Sequence, residues 1–165
     1  MDELLDLVNE SDEVIGEVWR SATIGHPELI FREVGILICD NKKRLLLQRR
    51  SYKKKTYAGY WIISAGGHVG KGKNPEDEAH KELREEMGID VPLKFAFKLL
   101  MTYPGNRSYA YGYFGEYNEN NFVIQKEEVE EARFFTKEEF EELLKTDKVE
   151  PTSANWCREF WGMKQ

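Results

Sequence analysis

The sequence predicts an α/β fold, a mixed sheet with helices around it. Three observations lead there. Short apolar runs with alternating character recur along the chain, each bounded by turn residues. One helix is marked at both ends, by Asn74-Pro75 at its start and Gly88 at its stop. Two further helical segments follow the last strand-like run.

Taken in order, "LLDLV" and "VIGEVW" flank the polar "NESDE" and predict a hairpin within about residues 1–25. "REVGILICDNKKRLLLQRR" predicts two apolar strands around the turn residues "DNKK". "SYKKKTYAGYW" reads as a basic, aromatic loop, and "IISAGGHVGKGKNP" as a short strand running into a glycine-rich loop. Asn74 caps a helix over 75–87, whose first turn carries Glu76, Asp77 and Glu78 where the helix dipole favours acids. "LKFAFKLLMTY" and "RSYAYGYFGEY" are strands joined at "PGN", and "VEEARFFT" is another. "TKEEFEELLK" opens with a capping box, and "PTSANWCREFWGM" is a last helix.

The 165 residues suit one domain with a full core, so residues 1–165 are read as a single domain. With 41% apolar and 33% charged residues the class is soluble and globular. A net charge of −6 argues against a nucleic-acid binder, although Lys42 to Lys55 holds eight basic residues and no acid. No apolar run approaches membrane-spanning length, and the acidic N-terminus has no basic leader pattern. Cys39 and Cys157 have neither metal-ligand spacing nor a disulfide framework, so Cys39 is expected to pack and the expected home is the reducing cytoplasm.

The chemistry concentrates in "KELREEMGID". On a helix, Glu82, Glu85 and Glu86 span an arc of about 100°, beside an apolar stripe of Ala79, Leu83 and Met87. Three carboxylates in one turn repel unless something neutralises them, and hard divalent cations take oxygen ligands and share them with substrate phosphates. Alone the pattern is more often that of a solvated acidic face. The glycine-rich stretch just before it and the basic loop upstream turn the reading toward a metal-assisted diphosphate site.

The span Gly67 to Ile89 resembles the Nudix box. It runs Gly67, five residues, Lys73, seven residues, then "KELREEMGI" without a gap, with Glu82, Leu83, Glu85, Glu86, Gly88 and Ile89 in register. The resemblance implies an α/β/α sandwich, a mixed sheet between helices. It also implies Mg²⁺- or Mn²⁺-dependent hydrolysis of a nucleoside diphosphate linked to another group, a small-molecule partner. It implies Glu82 as metal ligand or general base, Glu85 and Glu86 as metal ligands, and a loop carbonyl near Gly66 or Gly67 completing the shell. Two positions depart from the box: its Glu is Lys73 and its Arg is Lys81. Two lysines cannot pair, so Lys81 is expected to turn to Glu78 or Glu85 instead, and a low-activity nucleotide-binding module is the alternative reading.

Upstream, "DLVNESDEVIGEVWR" and "LLLQRRSYKKKTYAGYWIISAGGHV" resemble the isopentenyl-diphosphate-isomerase-like branch. Those isomerases place a Cys immediately before Gly-His, where this chain has Gly66. Their later Glu pair falls on "NRSY", Asn106 to Tyr109, which holds no carboxylate, so isomerase chemistry is not expected. His26 falls near one of the isomerase metal histidines, and the other falls near Phe31; His26 is expected to be exposed and His80 to pack. By the same resemblance the segment carrying Arg49, Arg50 and Lys54 faces the diphosphate, and at most one of the adjacent Arg49 and Arg50 points into the site; His68 is a further substrate-binding candidate, with loop packing and metal contact as its alternatives. Tyr57 and Tyr60 are candidates to stack a base, and Trp61 to join the core. Glu127 and Glu128 are candidates for an extra base.

Overall fold

The structure is a computed structural model that describes residues 2–163. A two-stranded hairpin, β1 (Leu4–Val8) and β2 (Val14–Trp19), precedes a short helical turn, α1 (Arg20–Thr23). The main sheet takes β3 (Phe31–Cys39), β4 (Leu45–Arg50), β5 (Trp61–Ile62), β6 (Ala65–His68), β7 (Leu93–Tyr103), β8 (Asn106–Glu116) and β9 (Val129–Phe135). The helices are α2 (Pro75–Met87), α3 (Lys137–Thr146) and α4 (Pro151–Trp161). The strand path is β5-β4-β3-β8-β7, with β6 on β3 and β9 on β4. β3 and β8 run parallel and the other pairs antiparallel, so the sheet is mixed as expected.

The period-2 alternation of β3 builds a three-layer sandwich. Val34, Ile36 and Ile38 pack toward α2 with Ala79, Leu83 and Met87. Leu37 packs the other way, with Trp61, Phe140, Leu143, Ala154 and Cys157 against α3 and α4. Trp61 is 1% exposed, and its core role follows from the edge-on ring of Phe135, 4.9 Å away. Both cysteines are free, Cys157 buried and Cys39 half-buried. Among the described residues no helix is long and apolar enough to cross a membrane.

The helix ends are where local chemistry places them. Asn74 Oδ1 accepts from the backbone N–H of Glu76 at 2.8 Å, and Gly88 closes α2 at φ 66. The capping box of Thr136 and Glu139 forms in both directions. Two details differ from the sequence reading. α1 has no propensity signal in "RSAT" and arises as the chain leaves β2. The glycines of "AGGH" are a strand rather than a loop, because β6 is laddered onto β3 from Glu33–His68 to Ile36–Ala65.

The hairpin is docked rather than tethered. Asp12, with φ 63 in the left-handed region and a side chain 5% exposed, accepts from Arg32 Nε at 2.7 Å and Lys98 Nζ at 2.9 Å, and the Tyr111 hydroxyl also donates to it. These donors hold the Asp12 carboxyl below the usual carboxylate range against the opposing effect of burial. The other end of the hairpin braces the segment before α2, through Lys71 N–H to the Leu4 carbonyl at 2.8 Å and Gly72 N–H to Asp6 at 3.1 Å. Asp12→Ala removes the acceptor shared by half-buried Arg32, exposed Lys98 and the Tyr111 hydroxyl, so unfolding in urea should show a loss of about 2 kcal/mol. A loss under 0.5 kcal/mol would mean that the cluster does not hold the hairpin.

Candidate active site

Helix α2 lies under β6 so that its acids meet the glycine strand. Glu86 is 6% exposed, and its Oε2 accepts from Gln48 Nε2 at 2.6 Å while the Gly66 N–H also donates to the carboxylate. Burial, first, and the charges of Glu82 and Glu128 push Glu86 up to about 8. The Glu82 side chain is 17% exposed, and burial raises it to about 7 against the lowering effect of Lys81. A Cβ on Gly67 would lie 2.6 Å from the Glu82 carboxyl carbon, so glycine there is what lets the carboxylate reach the strand. Glu85 is exposed and close enough to raise Glu82 by repulsion.

Lys81 finds partners without an arginine fork. Its Nζ donates to Glu78, which is buried on α2, and lies 3.6 Å from Glu82. It is raised by these acids, Glu78 first, so the lysine at the box arginine position takes Glu78 as its bonded partner with Glu82 close by. Lys73 is exposed on the loop.

A cavity of about 630 Å³ opens beside the acids, lined in part by Gly66, Gly67, His68, Arg20 and Arg50. The adjacent arginines separate as strand alternation requires. Arg50 faces the cavity, donates to the Thr56 carbonyl at 2.9 Å and, among the described residues, pairs with no carboxylate. Arg49 is the correction: it turns to the α3 side, bonded to Asp147 at 2.5 Å and stacked over Trp61 at 4.9 Å, and is spent on structure. Lys54 is also engaged, with Glu128 at 2.5 Å. His68 lines the cavity but uses both ring nitrogens, accepting from Arg20 Nε at 2.9 Å and donating from Nδ1 to Glu3 at 3.1 Å, so it positions Arg20 rather than offering a free donor. Glu128 is half-buried and close enough to raise Glu86, whereas Glu127 is exposed. Tyr57 lines the cavity with Tyr60 edge-on to it at 5.3 Å. His26 is exposed beside Glu28, and His80 is half-buried.

The acids suit a hard divalent cation in donor type and charge. Two carboxylates raised by burial and by neighbouring acids need a compensating positive charge to ionise together, and their donors are oxygens. Among the described residues no three His, Cys, Asp or Glu side chains already converge as a ligand set.

Sequence reasoning missed Gln48, Arg20 and the far wall of the cavity, which holds Glu33, Tyr103, Asn106 and Trp156. A lone Glu at the start of an apolar strand was the available signal for Glu33.

An α/β/α sandwich whose central helix sets buried acids against a glycine strand defines the architecture of the pyrophosphohydrolases with a Nudix box. The match to the NUDIX domain family covers residues 30–160, and the chain belongs to this family. It is 36% identical over 137 residues to an uncharacterized Nudix hydrolase of Pseudomonas aeruginosa, covering 82% of this chain and 80% of that one. It is 44% identical over 94 residues to an isopentenyl-diphosphate Delta-isomerase of Photorhabdus laumondii, covering 57% of this chain and 52% of the isomerase, so the likeness to that branch spans about half of each. Among solved structures, DR0079 of Deinococcus radiodurans superposes with a TM-score of 0.80 at 21% identity over 96% of this chain and 99% of that one, a likeness of fold. The enzyme class is that of a Nudix hydrolase acting on phosphoanhydride bonds.

Proposed function

We propose that the chain is a Mg²⁺- or Mn²⁺-dependent hydrolase that cleaves the diphosphate linkage of a nucleoside diphosphate or its derivative by water attack on phosphorus. The observation that carries this is the burial of Glu82 and Glu86 against Gly66 and Gly67 at a cavity that also receives the carboxylate-free Arg50. Glu82, Glu85, Glu86 and a Gly66 carbonyl are the residues proposed to hold the metal. Bound there, the ion supplies phosphate-charge neutralisation and acidifies a water. Arg50 and the His68-held Arg20 bind and orient the phosphates, and Glu82 takes the proton of the attacking water. Glu128 is the second candidate base, through its proximity to Glu86. The reading takes the whole chain, hairpin included, as one working unit on a small-molecule diphosphate in the cytoplasm.

A binding module of low turnover is favoured by Lys73, which is exposed, but opposed by Lys81, which bonds Glu78 with Glu82 close by. Isomerase chemistry fits the site poorly. A Cβ on Gly66 would lie 2.9 Å from the Val34 carbonyl oxygen, so a Cys could not enter without a backbone shift. Nucleoside diphosphates and their derivatives assayed with Mg²⁺ and Mn²⁺ should release phosphate; a panel with no product under either ion overturns the hydrolase reading.

The raised acids also set a pH dependence for the metal-free protein. Glu82 and Glu86 keep protons at about 7 and about 8, above their ordinary value of 4.5. The native state therefore binds more protons than the unfolded state across this window, and stability falls as pH rises from about 5 to about 8. In chelator, Tm should fall by about 5 °C or more from pH 5.5 to 8.5, since about 1 kcal/mol moves Tm by roughly 2–4 °C at this size. Mg²⁺ should restore more at pH 8.5 than at 5.5, and Glu86→Gln should flatten the slope. Parallel curves for the two proteins would show that Glu86 is not the group responsible.

A further inference from the structure

We propose that the part of the cavity between Trp156 and Glu33 takes the nucleobase of the substrate, packed against the indole and held by N–H donation to Glu33. The inference rests on the hydrolase reading and adds to it the class of group recognised.

Strand order sets the two sides of the cavity apart. β6, with Gly66, Gly67 and His68, lies on one flank of β3, and β8 lies on the other. The phosphate-binding groups and the acids of α2 therefore occupy the β6 side. Across β3, the residues facing α4 are small where the aromatic wall is seated. Gly35 pairs in register with Gly112 on β8, and Glu33 with Ala110. A Cβ on Gly35 would lie 2.3 Å from the Trp156 ring, so the indole rests directly on the strand backbone. Phe97 holds it edge-on at 4.7 Å. Trp156 is half-buried and lines the cavity together with Ile62 and Ile63, which gives a planar apolar wall of the kind on which bases stack.

The polar groups on this side ask for donors. Glu33 Oε1 accepts from the Tyr103 hydroxyl at 2.7 Å and the Ser108 hydroxyl at 2.8 Å. Both hydroxyl protons are thereby committed, the carboxylate is fixed in direction, and Oε2 has no partner among the described residues. Asn106 Oδ1 is buried and without a partner at the same wall. A wall of acceptors rejects a group that brings only acceptors, because each would be left unpaired out of water. The exocyclic amines and ring imino groups of nucleobases bring N–H donors on a flat frame. A sugar brings donors without the flat frame. The volume of about 630 Å³ is within the range of small-molecule sites and leaves room for base, sugar and diphosphate together.

The experiment is titration calorimetry in Mg²⁺ with non-hydrolysable α,β-methylene diphosphates. One set carries each of the four nucleosides, a second carries the best base methylated at its donor nitrogens, and a third is the base-free ribose 5-diphosphate analogue. The best nucleoside compound should bind at least tenfold more tightly than the base-free one, and methylation should remove most of that gain. Glu33→Gln and Trp156→Leu should each weaken nucleoside binding about tenfold while leaving the base-free compound within twofold. Base-free binding within twofold of the best nucleoside compound, or equal weakening of both classes by Glu33→Gln, overturns the inference. Should either variant fail to fold, the methylated compounds on the unaltered protein decide. The hydrolase reading fails separately. A protein that prefers the nucleosides but releases no phosphate from hydrolysable ones loses that reading only, and one that cleaves base-free diphosphates equally fast loses this inference only.

Discussion

Glu82→Gln should lower kcat by about 10²–10⁴-fold on the best diphosphate substrate while KM moves only a few-fold, because a positioned general base contributes a factor of this size. The change is nearly isosteric. It keeps an acceptor beside Gly67 and Lys81 and removes the ability to take a proton. Glu82 is suited to that task by its surroundings: burial lifts it to about 7, near working pH, and Lys81 at 3.6 Å limits the lift. Glu86→Gln should act differently. Glu86 is 6% exposed and bonded to Gln48, so it sits too deep to meet water in the cavity, and its loss should appear as weaker metal binding rather than lower kcat at saturating ion. Phosphate release measured over a Mn²⁺ titration separates the two. If Glu82→Gln retains kcat within threefold, the base is elsewhere, and Glu128→Gln becomes the variant to measure.

The parts of this molecule that were legible beforehand are those in which the deciding contacts are local. Asn74 caps its own helix two residues on, and Gly88 ends it at φ 66. The Nudix-box acids share a helix, so their placement within one turn of each other follows from helical pitch alone. Legibility stops where a distant residue decides. Strand alternation says that Arg49 and Arg50 part company, but only Asp147, which holds Arg49 from the end of α3, says which of them leaves the site. "AGGH" carries no strand propensity, and it is extended because β3 offers it a ladder. The acceptor wall was invisible for the same reason: Glu33, Tyr103 and Trp156 come from β3, β7 and α4, and sheet order alone brings them together. Lys81 falls between the two cases: helical spacing offered it Glu78 or Glu85, and Glu78, buried one turn back, is the one it bonds.

Gly67→Ala should lower kcat/KM by about 100-fold or more with little loss of stability. Gly67 is in β6, paired with Val34, and its φ is not in the left-handed region, so alanine is tolerated by the backbone. The new methyl is not tolerated by Glu82. Its Cβ would lie 2.6 Å from the carboxyl carbon and 2.8 Å from each oxygen. What must yield is the end of a flexible side chain, an inexpensive shift in folding terms, so Tm should stay within about 3 °C. For catalysis the same shift is costly, because a displacement of about 1 Å in a reacting group costs on the order of 10² in rate. The split between an intact fold and a lost reaction is what distinguishes a positioning glycine from a structural one. Circular dichroism and thermal unfolding should match the unaltered protein while phosphate release falls. Gly70→Ala is the internal comparison, since a Cβ there meets only the Lys73 side chain, at 3.4 Å, and its activity should stay within twofold. Equal activity in Gly67→Ala would mean that the Glu82 carboxylate does not need the strand, and that the reacting water is held elsewhere.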